Sequence, residues 1–184
     1  MFKLFSRRPK ATFSKPERGN IKLVFGLGNP GEKYALTYHN TGQLYIDYIA
    51  QGPFKKYRNF EFSKEGDLIF IKSIAFMNDS GLAAKEALEY LGLQIENLLV
   101  VHDDSDIPLG EYKLSFDQGS AGHNGVQSVA QHLKTQKFFR LRIGVRENQR
   151  GKAGEFILKP ISKRALATLK QVFSRIDSFQ LRSH

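Results

Sequence analysis

The chain has 184 residues, a hydrophobic share of 41%, a formal charge of +10 and no cysteine. That length fits one domain with a sizeable core, and the missing thiols exclude disulfides, thiolate catalysis and Cys-ligated zinc. No apolar run approaches the roughly 20 residues of a membrane helix and MFKLFSRRPK lacks the apolar stretch of a secretory signal, so a cytoplasmic chain with no membrane partner is expected.

Residues 1–20 carry six basic groups against one acid and show no periodicity, which predicts a disordered basic arm ahead of a single folded domain over 21–184. IKLVFGL (21–27) reads as a buried strand, and NTGQLYIDYIA (40–50) as a helix with Leu44, Tyr45, Tyr48 and Ile49 on one face. KYRNFEFS and DLIFIK, split at Glu65-Gly66, read as a hairpin. SGLAAKEALEYLGL reads as a helix capped by Asp79 or Ser80 and closed by Gly92. NLLVVHDD is an apolar strand ending in charge, and EYKLSFD alternates as a strand does. GHNGVQSVAQHLKT reads as a helix entered from a Gly-rich loop, FFRLRIGVR as a strand, and 162–178 as a basic amphipathic helix. Strands alternating with helices predict an α/β fold, a single domain with helices on the faces of its sheet.

Charge is unevenly placed. Residues 21–133 hold nine basic groups and fourteen acids, whereas 134–184 hold thirteen and three. A basic arm and a basic last third flanking an acidic middle point to a polyanionic partner.

VFGLGNPG (24–31) spells G-x-G-x-x-G with Gly26, Gly28 and Gly31. A dinucleotide loop needs its third glycine at a helix start and an acid about 20 residues on. Here Pro30 precedes Gly31, the following EKYALTYHN has no helical period, and Gln51 stands where the acid belongs. A tight loop presenting Asn29 at a strand end is the better reading, and no nucleotide cofactor is expected.

Four polar groups fall after strands or at helix starts: Asn29 with His39, Asn78, His102 with Asp103, and His123 with Asn124. Asp103 can accept one ring N–H of a histidine and leave the other nitrogen to take a proton from water. With no G-x-S-x-G elbow and no cysteine, direct attack by activated water is simpler than covalent acyl transfer. HDDSD (102–106) is also the composition of a divalent-metal phosphoesterase site. The other histidines, however, have Asn rather than acidic neighbours, and hard cations want charged oxygens.

GLGNPGEKY, TYHNTG, FMNDSG, VVHDDSDIPLG, AGHNG and FFRLRIGV, in that order over about residues 21–160, resemble the bacterial-type peptidyl-tRNA hydrolases. The resemblance implies a twisted mixed β-sheet flanked by helices, and hydrolysis without metal or cofactor of the ester joining a nascent peptide to tRNA. It makes peptidyl-tRNA the partner, and a monomer is expected. His39 resembles the family's general base and Asp103 its orienting carboxylate. Asn29, Asn78 and Asn124 resemble its substrate-binding amides, with Tyr34, Met77 and His123 lining the same cleft. For tRNA, Arg142 matches the arginine of the family's phosphate clamp. The matching lysine position holds Ser115, so Lys113, two residues earlier on the same strand face, is the expected substitute. Tyr38 stands where arginine usually precedes the histidine, and Ala75 where threonine usually precedes FMN. Some relatives of this family bind RNA without catalysis, which is the alternative function.

Overall fold

The computed structural model describes residues 20–147 and 156–180. The expected arm therefore lies outside the described residues, except Asn20, whose carbonyl accepts a hydrogen bond from Asn97.

Seven strands form one mixed sheet: β1 (Leu23–Gly26), β2 (Lys55–Tyr57), β3 (Phe60–Glu65), β4 (Leu68–Ser73), β5 (Leu98–Pro108), β6 (Tyr112–Phe116) and β7 (Phe139–Arg146). Their spatial order is β2-β3-β4-β1-β5-β7-β6. The central strands β4, β1, β5 and β7 run parallel. They are near-continuous apolar runs because both of their faces are covered. On one face lie α3 (Ser80–Leu91) and α4 (Asn124–Leu133), burying Ala83, Ala87, Leu88, Val126 and Val129 against Phe25, Ile71 and Val100. On the other lie α2 (Thr41–Ile49) and α5 (Lys163–Gln180), packing Tyr45, Ile46, Leu169, Val172 and Phe173 on Val24, Leu99 and Leu141. The α/β expectation holds, with the helices divided between two faces.

Three local expectations are corrected. The buried face of α2 is Tyr45, Ile46 and Ile49, whereas Tyr48 is 44% exposed. At 3.6 residues per turn Tyr48 falls about 100° from the centre of that face. KYRNFEFS is not one strand: the chain reverses at Arg58, which adopts φ 43°, and Glu86 takes the Asn59 backbone and side-chain N–H groups. Finally, β5 does not end at its first charges. It continues beside β7 to Pro108, across a register shift between Asp104 and Pro108. The single turn α1 (Glu32–Ala35), entered from Gly31, was not legible in the pattern.

Of the glycines of the dinucleotide-like motif, Gly26 and Gly28 serve close packing, whereas Gly31 has open space around it and takes φ 94°. A Cβ on Gly26 would stand 2.5 Å from the Gly42 carbonyl oxygen, and one on Gly42 would stand 2.3 Å from that of Val101. The pair lets α2 lie against β1 and β5, bringing the residues just before α2 to the strand ends. At the end of α3, Gly92 takes φ 64°, the left-handed conformation of a helix stop.

Candidate active site

The last residue of β1, Gly26, pairs with Val101, so β5 loses its β1 neighbour from His102 onward. Open α/β sheets bind ligands beyond such strand ends. Here a cleft of about 260 Å³ is lined by His39, His102, Asp103, Asp104, His123, Asn124 and Ile157, among others.

Three of these residues form one unit. His39 sits in a 3₁₀ turn over Tyr38–Asn40 just before α2, with its backbone N–H on the Ile157 carbonyl at 2.8 Å. Its Nδ1 lies 2.9 Å from Asp103 Oδ1. His123, the N-cap of α4, accepts the Val126 N–H at Nδ1 and places Nε2 3.0 Å from the same Asp103 oxygen. Because Nδ1 of His123 is the acceptor, its proton sits on Nε2, which donates to Asp103. Burial alone would raise the Asp103 pKa. The electrostatic pull and hydrogen bond of the His123 ring N–H, joined by those of His39, outweigh it and hold the carboxyl well below its usual range. An ionised Asp103 fixes the His39 proton on Nδ1, leaving Nε2 as a lone pair with no protein partner among the described residues.

Asn29 joins the strand-end loops. Its backbone N–H and carbonyl are both engaged by the Asn40 side chain at 2.9 Å, and its Oδ1 accepts the Met77 N–H at 2.8 Å. With Oδ1 taken, Nδ2 is the amide group left for a ligand. Met77 is buried, and a Cβ on Gly125 would meet its sulfur at 2.3 Å, so any side chain at the start of α4 would have to move it. Asn124 lies next in chain, exposed on the cleft wall. Tyr34 packs edge-on to Phe76 at 6.2 Å, and Asn78 is exposed in the turn before α3; neither is among the residues lining the cleft.

The family model for peptidyl-tRNA hydrolase matches residues 23–180. The chain is 38% identical over 170 residues to a peptidyl-tRNA hydrolase of Hydrogenobaculum sp., covering 89% of this chain and 90% of that one. It belongs to the peptidyl-tRNA hydrolase family. A second relative, from Geotalea uraniireducens and bearing the same name, is 39% identical over 164 residues, covering 85% of this chain and 86% of that one. The crystal structure of the Acinetobacter baumannii peptidyl-tRNA hydrolase shares the fold, with a TM-score of 0.75 at 24% identity over 86% of each chain.

Within this peptidyl-tRNA hydrolase family member, the HDDSD run does not gather as a metal site. Asp104 accepts Arg142 Nε at 2.7 Å and the Asp106 N–H at 2.9 Å. His102 turns its Nδ1 to the Asp103 carbonyl at 2.6 Å, and burial together with the neighbouring His123 lowers its pKa well below the ordinary histidine value. Three donors that a divalent cation could share are His39, Asp103 and His123, within 4.8 Å of one another. A cation there would have to displace both imidazole hydrogen bonds to Asp103 and the proton fixed on His123 Nε2.

The basic side is arranged differently. Arg142 on β7 is held by Asp104 and by Gln118 Oε1 at 3.2 Å. Lys113 on the edge strand β6 stands opposite Arg142 and is exposed. Ser115 stands opposite Arg140 and is only 9% exposed. Sequence reasoning missed Asn40, Asp104 and Gln118 as supports, and Glu147 as the partner of Tyr38. The signal available for Asn40 was its place in TYHN beside His39.

Proposed function

We propose that this peptidyl-tRNA hydrolase family member cleaves the ester between a peptide and the tRNA 3′ ribose with water activated by His39. The observation that carries the reading is the His39 Nδ1 to Asp103 Oδ1 hydrogen bond at 2.9 Å in a strand-end cleft. It leaves His39 Nε2 to accept a proton as water attacks the carbonyl carbon. Asp103 stabilises the imidazolium without taking the proton itself. The resulting oxyanion is met by preorganised donors, for which Asn29 Nδ2 and the Asn124 amide are assigned. As the ester bond breaks, the His39 proton passes to the departing ribose oxygen, releasing peptide and tRNA.

Met77 and Tyr34 are assigned as apolar walls, Asn78 as a further amide for the peptide backbone, and His123 as the second donor that keeps Asp103 ionised and in place. Arg142 and Lys113 contact tRNA phosphate, and the residues of the 1–20 arm add further contacts. The enzyme is assigned as a cytoplasmic monomer, since the proposed His–Asp unit calls for no residue of a second copy.

Incubation with an N-acetylated aminoacyl-tRNA in EDTA, with His39→Ala beside it, tests the chemistry. Release by the wild type alone is expected. tRNA bound but not cleaved by the wild type would favour the noncatalytic RNA-binding alternative, and activity lost to EDTA would favour a metal. Removing residues 1–20 is expected to flatten the salt dependence of tRNA binding.

A further inference from the structure

Residues 36–39 run beside residues 157–161. Ile161 N–H donates to the Leu36 carbonyl at 2.8 Å, Thr37 pairs antiparallel with Pro160, and His39 N–H donates to Ile157 at 2.8 Å. The backbone of the proposed base is therefore set by a second piece of chain. Tyr38 ties that piece to the sheet. Its hydroxyl donates to Glu147, the residue after β7, and its ring meets Phe156 edge-on at 5.6 Å. Tyr38 is 6% exposed and belongs to a small core of its own with Val145 and Ala165, against which Phe156 and Ile161 pack. Burial and the Glu147 hydrogen bond raise its pKa to about 12, so the hydroxyl remains a donor at neutral pH.

The geometry points to Tyr38 as a positioning residue for catalysis: by holding Glu147 with its hydroxyl and Phe156 with its ring, it fixes the 156–157 backbone on which His39 hangs. The inference rests on His39 acting as the base. Asp103 sets the ring from the side-chain end and the Tyr38–Glu147 contact sets it from the backbone end. Without the contact the imidazole keeps its partner but loses its register to the attacked carbonyl. Small misplacements of this kind act on turnover more than on binding.

The test is turnover of N-acetylated aminoacyl-tRNA by full-length Tyr38→Phe, Glu147→Ala, the double variant and Glu147→Gln. The downfield His39 Nδ1 proton, assigned by its loss in His39→Ala, is followed by NMR. Tyr38→Phe and Glu147→Ala are each expected to lower kcat about tenfold with KM within about twofold, and to shift or broaden the His39 resonance. Because the Tyr38 hydroxyl also meets Ser162, the double variant is expected to match Tyr38→Phe, which already removes the Glu147 contact. Glu147→Gln, which keeps an acceptor oxygen, should stay within about threefold of wild type. Variants that melt earlier yet retain kcat per folded molecule and an unmoved His39 resonance would reduce Tyr38 to a packing residue and overturn the inference. Additive losses in the double variant would do the same. A wild type that releases no acyl group would overturn the functional reading together with this inference, whereas active wild type with unaffected variants removes this inference alone.

Discussion

The acid–base unit, with Asp103 on β5, and the basic edge, with Arg142 on β7 and Lys113 on β6, stand on neighbouring strands, yet they are built on opposite principles. Asp103 is buried, with one oxygen shared by two histidines whose ring nitrogens stand 2.9 and 3.0 Å away. Lys113 is exposed on an edge strand; Arg142, opposite it, is held by Asp104, and Ser115, two residues along from Lys113, is opposite Arg140. Buried hydrogen bonds fix angle and protonation together, so a substitution there breaks the unit. Surface charge acts through solvent over a Debye length of about 8 Å and tolerates a shift of two residues along a strand. Chemistry is therefore specified atom by atom, whereas phosphate attraction is specified by region.

The largest effect should come from the buried unit. His39→Ala removes the base and is expected to lower kcat about 10²- to 10⁴-fold with tRNA affinity nearly unchanged. Asp103→Asn keeps an oxygen near both imidazoles but removes the charge, and should cost roughly 10²-fold in kcat as the His39 tautomer is no longer enforced. Single-turnover release beside a tRNA-binding titration separates the two quantities. A change in Kd that matches the loss of kcat would break the contrast between the regions.

The next effect is on stability rather than rate. His102 is buried, and its folded pKa is depressed by burial and by His123. Neutral in the fold, it binds a proton only in the unfolded chain once pH drops below the unfolded value near 6.5. The stabilisation is therefore fully present above that value and is lost as pH falls from it towards the lower folded pKa. The slope approaches about 1.4 kcal/mol per pH unit for one proton. Denaturant titrations between pH 7 and 5 should show stability falling, and His102→Phe should flatten that dependence. An equal slope in the variant would assign the proton uptake to another group.

The fold was legible because its evidence is local. Apolar runs such as LLVV and the spacing of Ala83, Ala84, Ala87 and Leu88 declare strand and helix without reference to anything distant. Of the site, the residue types at strand ends were legible, and the ordered motifs joined them. What was not legible is which atom faces which. His39 and Asp103 are 64 residues apart, and Tyr38 and Glu147 109, so no periodicity links them. That His123 shares the Asp103 oxygen follows only from the α4 N-terminus turning its cap residue inward. Asn40 stands beside His39 in TYHN, but its work is on Asn29, where it closes a loop by two hydrogen bonds.

The smallest predicted effect probes the basic edge. Lys113→Ala should raise KM about threefold and reduce the slope of log affinity against log salt by about 0.9, the value for one phosphate contact on a duplex. Placing a lysine at the position where the resemblance expects one, by Ser115→Lys, should not recover the loss. Ser115 stands opposite Arg140, itself 2% exposed, so a second cation there would sit beside a buried guanidinium whose own pKa is already lowered, first by burial and then by Arg142. The added lysine should instead destabilise the fold by roughly 0.5–3 kcal/mol, the usual range for a single destabilising substitution. If Lys113→Ala leaves the salt slope intact while Ser115→Lys tightens binding without loss of stability, the phosphate sits at the inner position after all. The two regions would then share one rule of construction, with position fixed as closely for the cation as for the base.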